Sequence, residues 1–276
     1  MNPALLKRLR HFSASRHNQR KAPFFVVEGL RCCREALARR PQWLEAAVMA
    51  EDVVQTAPGA AFAQAAQAAG VTPEVVSPGE FAALAMTEGP QGMLCVMRKP
   101  AAAPPTTLDH TCTLILDQVR EPGNVGTILR TAWSVGLSQV WLAGGCAEPW
   151  SPKVIRGGMG AQFALTCHSF ADLAEAVAHF RLLGGTRVWC AMMRADTTLF
   201  SSEFAPCGAA LVLGNEGNGI AHPEVGEAVT IPMPGQAESL NVAQAATLLL
   251  YEALRRQAKG DAAMPCPGSS ESIISL

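Results

Sequence analysis

The chain has 276 residues, 49% of them hydrophobic and 16% charged, which is too apolar for intrinsic disorder and long enough for two units of ordinary size. No run of about 18 apolar residues suggests a membrane span, and the first twenty residues are basic and polar instead of forming a signal core, so a soluble, cytoplasmic protein is expected. The net charge of −1 hides an asymmetry: residues 1–40 carry +8 and the remaining 236 carry −9. Such a basic end is either a solvated helix face or the footprint of polyanion binding.

From the N-terminus, short apolar runs alternate with helical patterns. Strands are predicted at Phe24–Val27, Ala46–Ala50, Glu74–Val76 and Gly92–Met97. Helices are predicted over about 29–39, 60–69 and 79–85. This rhythm describes a small α/β unit over 1–98. Residues 99–110, with Pro100, Pro104 and Pro105, lack apolar periodicity and read as a semi-rigid linker.

A second α/β rhythm fills 111–259. Its strands fall at Thr113–Leu116, Val140–Leu142, Val188–Ala191, Ala210–Leu213 and Val229–Ile231, and its helices near 124–135, 152–158, 171–183 and 241–258. Regular alternation favours a parallel sheet covered on both faces, with ligands bound beyond the carboxyl ends of its strands. The Gly-, Pro- and Ser-rich segment 260–276 reads as a flexible tail. The nine cysteines, at 32, 33, 95, 112, 146, 167, 190, 207 and 266, show no Cys-x-x-Cys pair. They read as buried thiols in a reducing compartment, not as a metal site or disulfide framework.

Three loops following predicted strands carry the candidate chemistry. In the first, Asn124, Thr127, Arg130, Thr131 and Ser134 fall within a sector of about 120° on the helix that begins there. Asn124 could be a cap and Arg130 a solvated charge, or both could belong to a polar stripe facing a ligand. The second, Gly214-Asn215-Glu216-Gly217-Asn218-Gly219, has three glycines in six residues, which lets backbone approach a ligand closely. It lacks the Lys-Ser/Thr of a phosphate-binding loop and the G-x-G-x-x-G order of a dinucleotide fold, which argues against an oxidoreductase. The third runs from Ile231 through Met233, Gly235, Glu238, Ser239, Leu240 and Asn241 to Val242. Ser239 or Asn241 can cap the closing helix.

Together these loops resemble the SpoU (TrmH) family of RNA 2′-O-methyltransferases, within the SPOUT superfamily. The first motif matches as Asn124, Gly126 and Arg130, the second as Gly214 to Gly219, and the third as Ile231 to Val242. The N-terminal part is similar to that family's ribosomal-protein-like substrate-binding domain, through Arg16–Lys21, Phe25 to Gly29 and Pro90 to Leu94. The resemblance implies a parallel-sheet catalytic domain with a C-terminal trefoil knot, a homodimer, and S-adenosylmethionine held by Leu213, Gly214, Asn215, Gly217, Ile231, Met233, Ser239 and Leu240. It implies that Asn124, Arg130, Glu216, Ser239 and Asn241 serve the reaction. Arg130 would take the 2′-hydroxyl proton, awkward for a group with a pKa above about 12, or, as an equal alternative, stabilise the developing alkoxide while another group or water takes the proton. Arg16, Arg20, Lys21, Lys153 and Arg156 would contact RNA, ribosomal RNA being favoured over transfer RNA, and no metal is implied. One departure is Gly157-Gly158, where family members often carry a serine. A non-catalytic RNA-binding factor that keeps the fold is the competing reading.

Overall fold

A computed structural model describes residues 2–235 and 237–260. The chain begins with two helices, α1 (Pro3–Ser13) and α2 (Arg16–Lys21). Next come β1 (Phe24–Glu28), α3 (Leu30–Arg39), β2 (Leu44–Ala50), α4 (Ala57–Ala68), β3 (Glu74–Val76), α5 (Pro78–Leu84) and β4 (Met93–Arg98). Their strands form a sheet ordered β1-β4-β2-β3, in which β4 runs antiparallel to both neighbours and β2 parallel to β3.

No element was expected over α1, where the basic residues dominate the reading. Yet Leu5, Leu9 and Phe12 follow helical spacing and are buried, with Phe12 against Phe24 at a ring separation of 5.1 Å. Asn2 caps the helix by accepting from the Ala4 amide, and Pro3 occupies the first turn. Part of the N-terminal positive charge is also used internally, since Arg8 bonds Glu45 at 2.8 Å and the Arg39 and Arg40 guanidinium groups lie over Trp133 and Trp43.

The second half comprises β5 (Thr113–Leu116), α6 (Pro122–Ser134), β6 (Gln139–Leu142), α7 (Pro152–Gly158), β7 (Thr166–Ser169), α8 (Leu173–Leu182), β8 (Val188–Ala191), β9 (Ala210–Leu213), β10 (Glu227–Val229) and α9 (Val242–Gly260). Its six strands are all parallel, in the order β10-β8-β9-β5-β6-β7. Alternate residues serve opposite faces. Leu114, Leu116, Leu211 and Leu213 share a core with residues of α6 and α9, whereas Ile115, Val212 and Trp141 pack with residues of α8.

Two strand expectations need correction. β7 was not foreseen, because Thr-Cys-His-Ser is polar and the strand lies at the sheet edge with its ends exposed. β10 begins two residues before the expected start at Val229, since its pairing with β8 runs from Glu227 to Val229 and Thr230 leaves it for an isolated bridge to Thr198. The expected tail lies outside the described residues except for Gly260, which ends α9. Of the described cysteines, five are buried, Cys146 and Cys167 are partly buried and Cys207 is exposed.

The segment read as a linker is strapped down, and the two halves share a core. The Ala103 and Pro105 carbonyls accept from His168 and His179, each at 2.7 Å, and the Asp109 carboxylate accepts from the Ser138 amide and hydroxyl. Phe25 of β1 stacks against Trp150 and Phe163 at 4.9 and 6.2 Å. The helices α6 and α7 cross closely. A Cβ on Gly126 would lie 2.7 Å from the Val154 oxygen and 2.8 Å from the Gly158 nitrogen, closer than real contacts allow. A Cβ on Gly158 would meet Gln162 Oε1 at 2.8 Å. The Gly157-Gly158 departure therefore belongs to helix packing.

Candidate active site

In the second sheet the chain steps outward from β5 through β6 to β7, then returns to β8 and β9 on the other side of β5. Reversals of this kind leave a crevice at the carboxyl ends of the strands. Here a cleft of about 650 Å³ opens beyond β8, β9 and β10, within the size range of small-molecule sites.

The loop after β9 forms its floor. The Asn215 and Gly219 backbones exchange two hydrogen bonds of 2.9 Å, with Gly219 at φ +70°. A Cβ on Gly214 would fall 2.4 Å from the Gly219 carbonyl carbon, so this crossing admits only glycine at 214. The Asn215 side chain holds the turn: its Oδ1 accepts from the amides of Gly217 and Asn218, and its Nδ2 donates to the Gln118 carbonyl at 2.9 Å. Gln118 adopts φ +55°, an uncommon conformation for a non-glycine residue. The buried Asp117 carboxylate accepts from the Ala221 amide at 2.7 Å, fastening the loop's far end to β5.

Three separate motif segments then meet through their side chains. Asn241 Nδ2 donates to Asn124 Oδ1 at 3.0 Å, and Asn124 Nδ2 donates to Glu216 Oε1 at 2.5 Å. The second contact is charge-assisted, which fixes the carboxylate's direction. Asn241 Oδ1 also accepts from the Ala243 amide at 2.9 Å and so caps α9; Ser239 is exposed and makes no cap bond. Asn124 does not cap α6, whose N-cap position is Glu121.

Every residue expected to hold the cofactor lines this cleft: Leu213, Gly214, Asn215, Gly217, Ile231, Met233, Ser239 and Leu240. Glu216 and Asn241 line it too. Arg130 does not. It lies on the exposed face of α6, six residues or roughly 9 Å past Asn124 along the axis, with no side-chain partner among the described residues. Other members of its stripe meet α9: Thr131 Oγ1 lies 3.3 Å from Thr247 Oγ1, and Ser134 Oγ lies 3.5 Å from the Tyr251 hydroxyl. The residues following β8, Met192, Met193 and Arg194, also line the cleft. They were missed because a single strand end with no motif gives no local cue.

A second cleft, of about 370 Å³, lies where the two halves meet, and its walls carry Arg20, Arg120, Lys153 and Arg156. Three expected RNA-contacting residues are thus neighbours. Lys21 is exposed outside this cleft, and Arg16 belongs to α2. Among the described residues no group of three or more His, Cys, Asp or Glu is placed to hold a metal ion, and no helix is long and apolar enough to cross a membrane.

Residues 111–251 match the SpoU rRNA Methylase family, and residues 26–103 match the RNA 2′-O ribose methyltransferase substrate-binding family. The chain belongs to the SpoU methylase family. It is 33% identical over 188 residues to an uncharacterized tRNA/rRNA methyltransferase of Synechocystis, covering 66% of this chain and 67% of that one. It is 31% identical over 194 residues to the 23S rRNA (guanosine(2553)-2′-O)-methyltransferase RlmP of Bacillus subtilis, covering 66% and 72%. It spans about half the length of the mouse mitochondrial rRNA methyltransferase 3, at 29% identity over 222 residues, covering 60% of this chain and 53% of that one. Among solved structures, a TrmH-family protein from Porphyromonas gingivalis superposes at a TM-score of 0.76 with 30% identity, covering 93% and 99% of the two chains. An AdoMet-bound rRNA methyltransferase from Sinorhizobium meliloti gives 0.78 with 26% identity, covering 92% and 95%. Within this SpoU-family chain, all three motif segments fall inside 111–251, and the Asn241–Asn124–Glu216 chain links one residue from each.

Proposed function

We propose that this SpoU-family protein transfers a methyl group from S-adenosylmethionine to a ribose 2′-hydroxyl in structured RNA, with ribosomal RNA as the substrate. The observation that carries the reading is that the second and third motif segments line one cleft and the first is joined to both by Asn124, which bonds Asn241 and Glu216. The walls suit the cofactor. Leu213, Ile231, Met233, Leu240 and Val242 offer apolar surface for a purine, while the Gly214 backbone and the Gly217 carbonyl offer hydrogen-bonding groups. When bound, the cofactor supplies a sulfonium methyl group, and its transfer by in-line displacement requires no metal.

The chain's own residues then have two tasks. One is alignment: the Asn124–Glu216 pair holds the mouth of the cleft in one geometry, and well-aligned reactants gain on the order of 7 kcal/mol or more. The other is charge at the acceptor oxygen, assigned to Arg130 as a fixed cation beside the developing alkoxide while the hydroxyl proton passes to water. Within one chain Arg130 stands outside the cleft, on a face where Leu248 and Tyr251 of α9 are 44% and 49% exposed. The same reading pairs two copies through that face, bringing Arg130 to an active cleft. It also threads the segment around 214–241 as a trefoil knot and places the enzyme in the cytoplasm, in keeping with its five buried cysteines. The preference for ribosomal RNA is supported by the name of the Bacillus subtilis relative.

The test is a map of 2′-O-methylated nucleotides in cells lacking the protein. One or a few ribosomal RNA sites should lose the mark, returning with wild-type protein but not with Arg130→Ala. Loss confined to transfer RNA would move the substrate, and an unchanged map would refute the activity.

A further inference from the structure

The cleft between the two halves is built from side chains that the three motifs leave unused. Arg20, at the end of α2, faces Arg120 from the loop after β5, and Lys153 and Arg156 from α7. One carboxylate, Glu148, stands on the same walls and lies 3.9 Å from Lys99 Nζ. The Arg20 side chain has no partner among the described residues. Arg120 makes a single bond, to Gln118 Oε1 at 2.8 Å, and Arg156 a single bond, to the Met86 carbonyl at 3.3 Å. Lys153 pairs with Glu121 at 2.6 Å with both side chains more than half exposed, an arrangement that contributes little and exchanges readily.

An independent observation lies in the same wall. Ser151 occupies the N-cap position of α7 yet makes no capping bond, and its Oγ is buried without a partner. Buried hydroxyls are nearly always satisfied; Ser151 lines the cleft, so turning its Oγ toward an acceptor bound there would satisfy the orphan donor. Cys146, also in the wall, is no nucleophile. Its thiol donates to the Leu116 carbonyl, and burial pushes its pKa up to about 12.

Position supplies the ligand's identity. Pro122 lines this cleft, and Asn124, two residues on, belongs to the motif chain at the other. Two residues span roughly 7 Å at most, so one strand of RNA can enter both clefts at once. Lys99, just after β4, fixes α2 from behind: its Nζ donates to the carbonyls of Gln19 and Arg20 at 3.1 and 3.0 Å, and the same Nζ lies 3.9 Å from Glu148 of the second half. Burial lowers its pKa, Glu148 opposing and Arg20 adding to the effect.

The geometry points to a single backbone phosphate of the substrate RNA, next to the target nucleotide, bound in this interdomain cleft by Arg20, Arg120, Lys153, Arg156 and the Ser151 hydroxyl. The inference rests on the RNA methyltransferase reading and adds that the phosphate site is composite, so neither half recognises RNA alone.

The test compares two triple variants with equal loss of charge. One is Arg20→Ala/Arg120→Ala/Lys153→Ala in the cleft; the other is Lys7→Ala/Arg10→Ala/Arg34→Ala on exposed helix faces outside it. Binding to protein-free ribosomal RNA is followed against salt, with S-adenosylmethionine binding and thermal melting as folding checks. The cleft variant should lose about tenfold in affinity, and its slope of log K against log salt should fall by about 0.7–0.9, the value of one phosphate. Ser151→Ala should weaken RNA binding severalfold with the slope unchanged, as for a neutral donor. The surface variant should lose less than the cleft variant. Equal losses in both triples, or a slope change near three phosphates, would mean diffuse attraction and overturn the site. Protection by inorganic phosphate that the cleft variant loses, with RNA affinity intact, would assign the cleft to a free anion and overturn it too. Wild-type protein that binds RNA but transfers no methyl group would refute the functional reading while leaving the phosphate site standing.

Discussion

The two clefts of this molecule are made in opposite ways. The larger one comes from within a single half, out of backbone turned by glycines at 214 and 219 and apolar side chains at the ends of parallel strands. The smaller one has walls from both halves, with long cationic side chains contributed by α2, the loop after β5 and α7. A site formed by backbone tolerates little change at its glycines, because the geometry itself is the binding surface. A site formed by exposed cations tolerates single losses, because each contributes one screened interaction among several. The contrast separates chemistry from recognition within one enzyme.

The largest effect that would sharpen this contrast is at Arg130. Arg130→Ala should lower methyl transfer by two to three orders of magnitude, about 2.7–4 kcal/mol, with S-adenosylmethionine affinity nearly unchanged, because Arg130 lies outside the cofactor cleft. Arg130→Lys should also be severely impaired, since a point charge does not replace a planar fork. Steady-state kinetics beside calorimetric cofactor titration would check both; activity above a tenth of wild type in the alanine variant would remove the assigned role.

Trp150 tests whether the halves are one cooperative body. It is 8% exposed and contacts Phe25 and Trp43 across the junction, so Trp150→Ala should destabilise by about 3 kcal/mol. Denaturant melts should show both halves losing stability in one transition. Separate transitions in the wild type would mean that the shared core does not couple them.

Gly214→Ala should weaken cofactor binding at least tenfold, about 1.4 kcal/mol, because the added Cβ collides with the Gly219 backbone; RNA affinity should stay near wild type. A parallel loss of RNA binding would blur the two clefts into one site. The smallest effect is expected from Lys99→Met, which removes the ammonium that holds the last turn of α2 and pairs with Glu148 across the junction. RNA affinity should fall severalfold while cofactor affinity holds, measurable by filter binding at low salt.

The same contrast explains what was legible in the sequence. The large cleft could be read because its residues come in contiguous runs whose order and spacing survive as motifs, and because Gly214 and Gly219 mark backbone that no other residue fits. The capping role of Asn241 was also readable, though Ser239 looked equally suitable until the Asn241 side chain was seen to bond Ala243. The small cleft was not readable as a site. Arg20 and Lys153 are 133 positions apart in sequence, and it is tertiary packing, such as that of Phe25 on Trp150 and Phe163, that brings α2 to α7. The charge excess of residues 1–40 pointed to RNA, but it did not distinguish Arg8, spent on Glu45, from Arg20, whose side chain faces the cleft. Helix α1 was hidden for a related reason: three buried apolar residues in eleven carry less weight on first reading than the cations between them. Edge strand β7 offers no apolar alternation at all and is defined only by its pairing with β6.

The most direct test is incubation of the purified protein with methyl-labelled S-adenosylmethionine and total RNA, followed by digestion to nucleosides. Label should appear in 2′-O-methylated nucleosides of ribosomal RNA, without added metal and undiminished by EDTA, and should vanish with Arg130→Ala. Label on bases instead of ribose, or transfer that survives the loss of Arg130, would contradict ribose methylation at this cleft.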